Sequence, residues 1–202
     1  MMVNNKIARI IPVALILIIA AVTIAAFVSL LRFIFFPSSS PKTTKSNLEI
    51  SREALLDVAV DRSVVLTVRG PIVADESFRS YQIKVSSSGR SLTVYKGYLE
   101  QPIKIVSFAN NSQAYEQFVY ALDKANMVLG TALSGDKNDL RGICATGNIY
   151  DYQTLKADKT QKDLWTSTCS GSRGSLNANF AQLNNLFIAQ IPDSRSIINE
   201  IW

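Results

Sequence analysis

Cys144 and Cys169 are the only cysteines of this chain, and no histidine accompanies them. Two thiols can work as a redox couple or as a covalent staple. A redox couple is expected in a C-x-x-C arrangement, and that spacing is absent. The pair therefore reads as a structural disulfide. Closing a loop of this length would restrict the unfolded chain by about 3.5 kcal/mol. Both cysteines fall in segments that read as strands joined by a polar connection, so antiparallel pairing is expected to set them opposite each other. On that register Tyr150 and Trp165 share their face. Together with Asn148 they form a candidate ligand-binding surface, the rings stacking on sugar and the amide supplying hydrogen bonds. The simpler expectation is that both rings pack over the disulfide.

Histidine is missing altogether, which excludes Ser-His-Asp and Cys-His catalysis and any zinc site built on imidazole. Carboxylates remain. Glu53, Asp57 and Asp61 recur every four residues and read as a solvated stripe of an amphipathic helix. Asp75-Glu76 sits in a connection, where adjacent side chains point apart. Asp136-Lys137-Asn138-Asp139 has some calcium-loop composition, but the twelfth position is Gly147 rather than an acid, so a plain polar loop is expected. Ser39-Ser40-Pro41-Lys42 matches S-x-x-K only formally, because it lies in a tether without the partner motifs of a penicillin-binding site. Gly171-Ser172-Arg173-Gly174-Ser175 lacks the lysine and the length of a phosphate loop. No catalytic residue, metal ligand or cofactor site is assigned.

The charge is unevenly placed. The net value is +5 with 21 basic and 16 acidic side chains. Five of the basic ones (Lys6, Arg9, Arg32, Lys42 and Lys45) precede residue 46, in a stretch with no acidic residue. From residue 46 onward the two signs balance, so the bulk signature of a nucleic-acid binder is absent and no nucleic-acid partner is expected. Between these early charges, Ile10 to Leu31 is an uncharged run of 22 residues. At 1.5 Å per helical residue it is long enough for a bilayer core of about 30 Å. Arg32 can snorkel to the headgroups beside Phe33, Phe35 and Phe36. The run exceeds the apolar region of a cleaved signal peptide and offers no clean cleavage site, so an uncleaved signal anchor is expected.

The order of the parts follows. Residues 1–9 read as a short cytoplasmic tail, 10–36 as a transmembrane signal anchor with its interfacial flank, and 37–46 as a Ser/Pro/Thr tether. Residues 47–202 read as one extracytoplasmic domain. Flanking basic residues nearly tie; the nine-residue tail and the even pair of cysteines favour an exported domain, since disulfides persist in oxidising compartments.

Within the domain, Ser51 is an expected helix cap with a short helix to Val60. Ser63–Val68, Phe78–Val85, Arg90–Tyr98 and Ile103–Phe108 show β-branched enrichment or alternation and read as consecutive antiparallel strands. Ser112 is the expected cap of the best helix, which carries Tyr115, Phe118, Val119, Leu122, Ala125 and Leu129 on one face and ends at Gly130. Ile143–Leu155 and Leu164–Ser170 read as further strands. Leu176–Ile191 reads as the second principal helix, followed by a last turn with Ile197, Ile198 and Ile201. The fold class is α+β: an N-terminal single transmembrane helix, then one domain with a largely antiparallel sheet of about six strands and two principal helices.

The expected function is a non-catalytic binding or interaction module held in the cell membrane by one pass. It would meet the lipid bilayer through residues 10–36, and an envelope protein or cell-wall glycan through the domain. The alternative from another class is a carboxylate-dependent cell-wall glycan hydrolase.

Overall fold

A computed structural model describes residues 18–28 and 45–200. Residues 18–28 are helical, and Ile18, Val22, Ile24 and Phe27 are exposed along that helix. The rest of the Ile10–Leu31 run, the tail 1–9, the flank and residues 37–44 of the tether lie outside the described residues. Among the described residues no helix is both long and apolar enough to cross a membrane.

Residues 45–202 form one compact unit. Helix α1 (Asn47–Leu56) leads into strand β1 (Arg62–Arg69). Strands β2 (Arg79–Ser86), β3 (Gly89–Lys96) and β4 (Gln101–Ala109) follow, then helix α2 (Ser112–Lys124). A 3-10 turn at Gly135–Asn138 precedes β5 (Ile149–Lys156) and β6 (Lys159–Ser167), and helices α3 (Phe180–Ile188) and α4 (Ser194–Asn199) close the described chain. The six strands make one antiparallel sheet in the order β4-β3-β2-β1-β5-β6. The α+β class and the strand number expected from alternation are therefore present.

The sheet is two-sided by parity. Val64, Leu66 and Val68 of β1 stand opposite Val85, Ile83 and Tyr81 of β2 and join Leu92, Val94, Tyr152 and Leu164 in the main core. Against that face lie Tyr115, Phe118, Val119 and Leu122 of α2 and Leu183 and Phe187 of α3, as three- and four-residue spacing requires. The Phe118 and Phe187 rings meet edge to face at 5.2 Å. The opposite face carries Ser63, Val65, Thr67, Gln82, Asp151, Gln153, Asp163 and Trp165.

Several expected boundaries move. Helix α1 is capped by Ser46, not Ser51: the Ser46 hydroxyl accepts from the Glu49 N–H, and the Glu49 carboxylate accepts from the Ser46 N–H. This reciprocal box satisfies two helix-end donors, which Ser51 one turn later cannot do. The helix stops at Leu56, so Asp57 and Asp61 lie beyond it and no four-residue acidic stripe forms. Asp57 instead accepts from Ala59 N–H and pairs with Arg62. Asn111, not Ser112, caps α2 through its side-chain oxygen. That helix ends at Lys124, six residues before Gly130. Asn126 takes a left-handed conformation at φ 61°, while Met127 N–H donates to Leu122 C=O and Asn126 N–H to Asp123 C=O. These are the two bonds of a Schellman ending, which asparagine supports nearly as glycine does.

Candidate functional site

Strands β5 and β6 place the chemistry. Their antiparallel register sets Ile149 opposite Ser167, Asp151 opposite Trp165 and Gln153 opposite Asp163. The cysteines sit outside both strands, Cys144 before β5 and Cys169 after β6, and there they form the expected disulfide. It ties two loops rather than two strand positions, so it does not set the register. For this reason Tyr150 and Trp165 do not share a face. Tyr150 stands opposite Thr166 and packs on Phe180 beneath the helices, with ring centroids 4.9 Å apart. Trp165 is buried on the other face in a small cluster with Cys144 and Ile149, rimmed by Leu133, Leu140, Ile143 and Cys169. The packing expectation thus describes Trp165, but not Tyr150. Asn148 is half-buried beside the disulfide, where its backbone N–H donates to Thr168 Oγ1 and its C=O accepts from Thr168 N–H. The structure does not bring Asn148, Tyr150 and Trp165 together as one surface.

It does bring together two carboxyls that no motif marks. Alternation along β5 sends Tyr150, Tyr152 and Thr154 to the helices, and Ile149, Asp151 and Gln153 to the open face. Asp151 is 8% exposed. On the diagonal, Asp163 of β6 lies on the same face of the sheet, opposite Gln153. Burial, the hydrogen bond with Asp163 and the charge of Asp163, in that order, push the Asp151 carboxyl up to about 8; Arg69 and Gln153 act the other way. Gln153 Nε2 donates to Asp151 Oδ2 at 3.1 Å, and Asn138 Nδ2 to Asp163 Oδ2 at 3.3 Å. The remaining oxygens, Asp151 Oδ1, Asp163 Oδ1 and Asn138 Oδ1, are buried without a hydrogen-bond partner. Among the described residues no group of three or more acidic, cysteine or histidine side chains gathers as a metal site.

At the disulfide end of the sheet, beside Cys144 and Ile149, is an open pocket of about 240 Å³. The end of β1 contributes Arg69 and Ile72 beyond it, and Phe78 and Tyr98 stack at 4.1 Å to form one wall. Leu140 and Arg141, with Cys144 and Ile149, form the other. The Tyr98 wall is held from behind. Its N–H donates to Asp75 Oδ1 at 2.8 Å, and its hydroxyl donates to Val73 C=O at 2.7 Å. Asp75 is therefore a turn brace. The preceding Gly97 has φ +72°, and a Cβ there would meet Asp75 Oδ1 at 2.9 Å, so the brace requires glycine. Both pocket arginines are neutralised locally, Arg69 by Glu100 at 2.8 Å and Arg141 by Asp139 two residues away. The lining is an apolar and aromatic body with a charged but balanced rim.

No protein-family model matches the chain, and no curated protein matches it either. The pair and the pocket are thus read from their chemistry alone. A sequence signal for the pair existed: an aspartate between two tyrosines of a strand is unfavourable unless the fold uses it. What the sequence lacked was the register that sets Asp163 beside it.

Proposed function

We propose that this chain is a membrane-anchored, extracytoplasmic binding module of the cell envelope that performs no catalysis, with the pocket beside the disulfide as its contact site. The observation that carries it is that pocket: concave, lined mainly by apolar and aromatic side chains, and held by loops tied through Cys144–Cys169. Its occupant would be an envelope protein side chain cluster or a cell-wall glycan. The disulfide supports an oxidising location. The uncharged Ile10–Leu31 run supports an anchor, as does the exposure of apolar side chains on the helix of residues 18–28.

A carboxylate-dependent hydrolase gains less support. Glycosidases hold two carboxyls at least about 5 Å apart with the sugar between them. Asp151 and Asp163 are instead diagonal neighbours on adjacent strands, and a loop residue, Asn138, donates to Asp163.

Photo-crosslinking in native envelopes tests the binding proposal. A photoreactive residue replacing Ile72, at the pocket mouth, should give a discrete adduct. The same residue replacing Tyr120, exposed on α2, should not. Equal labelling from both positions, or none from Ile72, would remove the pocket from consideration.

A further inference from the structure

The two edges of the sheet are finished differently. The end of β6 is covered by the returning chain: Trp165 N–H donates to Ser175 Oγ, and its C=O accepts from Ser175 and Leu176 N–H. The first half of β6 carries Lys159, Lys162 and Asp163, and the register with β5 shifts there, between Thr154 and Leu155. Charges and bulges are the usual means of blunting a sheet edge. Strand β4 ends the sheet on the other side, with no strand beyond it among the described residues. Its Ile103 and Ile105 are 48% and 63% exposed. Its one charged residue, Lys104, is drawn to Glu200 at 2.9 Å.

The ladder fixes which backbone groups of β4 face outward. Asn110 N–H donates to Ser88 C=O. Alternation back along the antiparallel register therefore turns Phe108, Val106 and Lys104 toward β3, and leaves Ala109, Ser107 and Ile105 with N–H and C=O directed away from it. Beyond Lys104 the register with β3 shifts, and Pro102 brings no N–H.

We infer that β4 pairs with β4 of a second copy of this chain, antiparallel about a two-fold axis at Val106, so that the two sheets become continuous. In this register Ile105 exchanges backbone bonds with the second copy's Ser107, and Ser107 with its Ile105. On the open face Ile103 then lies against the second copy's Ala109. On the helix face Val106 meets itself, and Lys104 lies beside the second copy's Phe108, its stem along the ring. The one charge of the strand never faces its own copy, as a centre at Lys104 would require. A second copy is selected over a foreign strand because the outward run is complementary to itself. From residue 46 onward the charges balance, so two domains carry no net repulsion. Pairing β4 with β4 also leaves only the blunted β6 edges outside, so association closes at two copies.

Disulfide trapping in the full chain, in its native membrane, tests the pairing without regard to what the pocket binds. Across the axis the two Val106 positions form a non-hydrogen-bonded pair with Cα atoms about 4.5 Å apart, within disulfide range. Val106→Cys should oxidise to a covalent species of twice the chain mass, while Gln161→Cys, on the exposed start of β6, should not. Ile105→Pro removes an outward N–H and no bond to β3. Added to Val106→Cys in a chain that keeps its melting midpoint, it should abolish the covalent dimer. Ile105→Lys, a change at an exposed position, serves where the proline variant does not fold. Equal trapping from both edges, or none from Val106→Cys, overturns the pairing. So does an adduct of any other mass, or a dimer that persists in the folded double variant.

Discussion

At the scale of single residues, Asp151 carries a consequence for stability. Its carboxyl titrates near 3.9 in an unfolded chain and is raised to about 8 in the folded one. The native state thus binds the extra proton between those values, and stability falls as pH rises through that window. Asp151→Asn removes the dependence, so its thermal midpoint should exceed that of the unmodified chain at pH 8 and approach it at pH 5. Melting curves at the two values decide this; a midpoint difference independent of pH would show that the proton is not involved. A second residue-scale expectation concerns Arg52, whose Nε and Nη2 each reach a different oxygen of Asp123 at 2.7 Å. The Asp123 side chain is 4% exposed, so Arg52→Ala leaves a buried acid without its bidentate partner. The variant should melt lower, and the added Asp123→Asn change should recover part of the loss. Neither pair was legible from spacing. Arg52 and Asp123 are 71 residues apart, and Asp163 lies diagonal to Asp151 because the ladder sets Trp165 opposite Asp151 and Gln153 opposite Asp163. Alternation assigns each residue to a face, but contact across strands needs the register.

At the scale of elements, more could be read. The consecutive strands β1 to β4 and the apolar stripe of α2 follow from periods of two and 3.6, because one buried face imposes them. Helix ends were less legible, since Ser46 and Ser51 are equal as residue types and differ only in whether a glutamate follows three positions later. The strand pair β5–β6 was placed, but five residues too short at the start of β6 and too long at its outer ends. There the disulfide and the return of the chain take over. That return is tight: Ser175 and Leu176 both donate backbone N–H to Trp165 C=O, and Gly174, at φ +72°, would bring a Cβ within 2.1 Å of that oxygen. Gly174→Ala should therefore displace the segment from β6, seen as loss of amide protection at residues 172–176 and a lower midpoint. The disulfide makes the larger contribution. A Cys144→Ser/Cys169→Ser double variant should lose about 3.5 kcal/mol of stability by the loop-entropy relation, measured by denaturant titration. If the double variant matched the reduced protein but both equalled the oxidised one, the loops would be held by Trp165 packing alone.

For the whole molecule, the decisive property is the partition of charge and hydrophobicity along the chain. All five excess positive charges belong to the first 45 residues, around an uncharged run of 22, while the domain beyond is neutral. A neutral domain has no long-range attraction to anionic headgroups. If the chain is held at a membrane, the hold is therefore not a long-range electrostatic one by the domain, and the apolar run is the segment proposed to supply it. Two preparations separate these contributions. The full chain should remain with membranes through alkaline carbonate and high salt. Residues 45–202 alone should be released as a folded, disulfide-bonded domain, since Ser46 still caps α1 and the sheet and its helices are complete within that unit. Orientation is then a question of the two sulfurs. In intact cells a membrane-impermeant thiol reagent should label Cys144 and Cys169 only after reduction, and without permeabilisation. Free thiols reached only after permeabilisation would place the domain on the cytoplasmic side. The disulfide would then not form in the cell, and the pocket would lose the tie that holds its second wall.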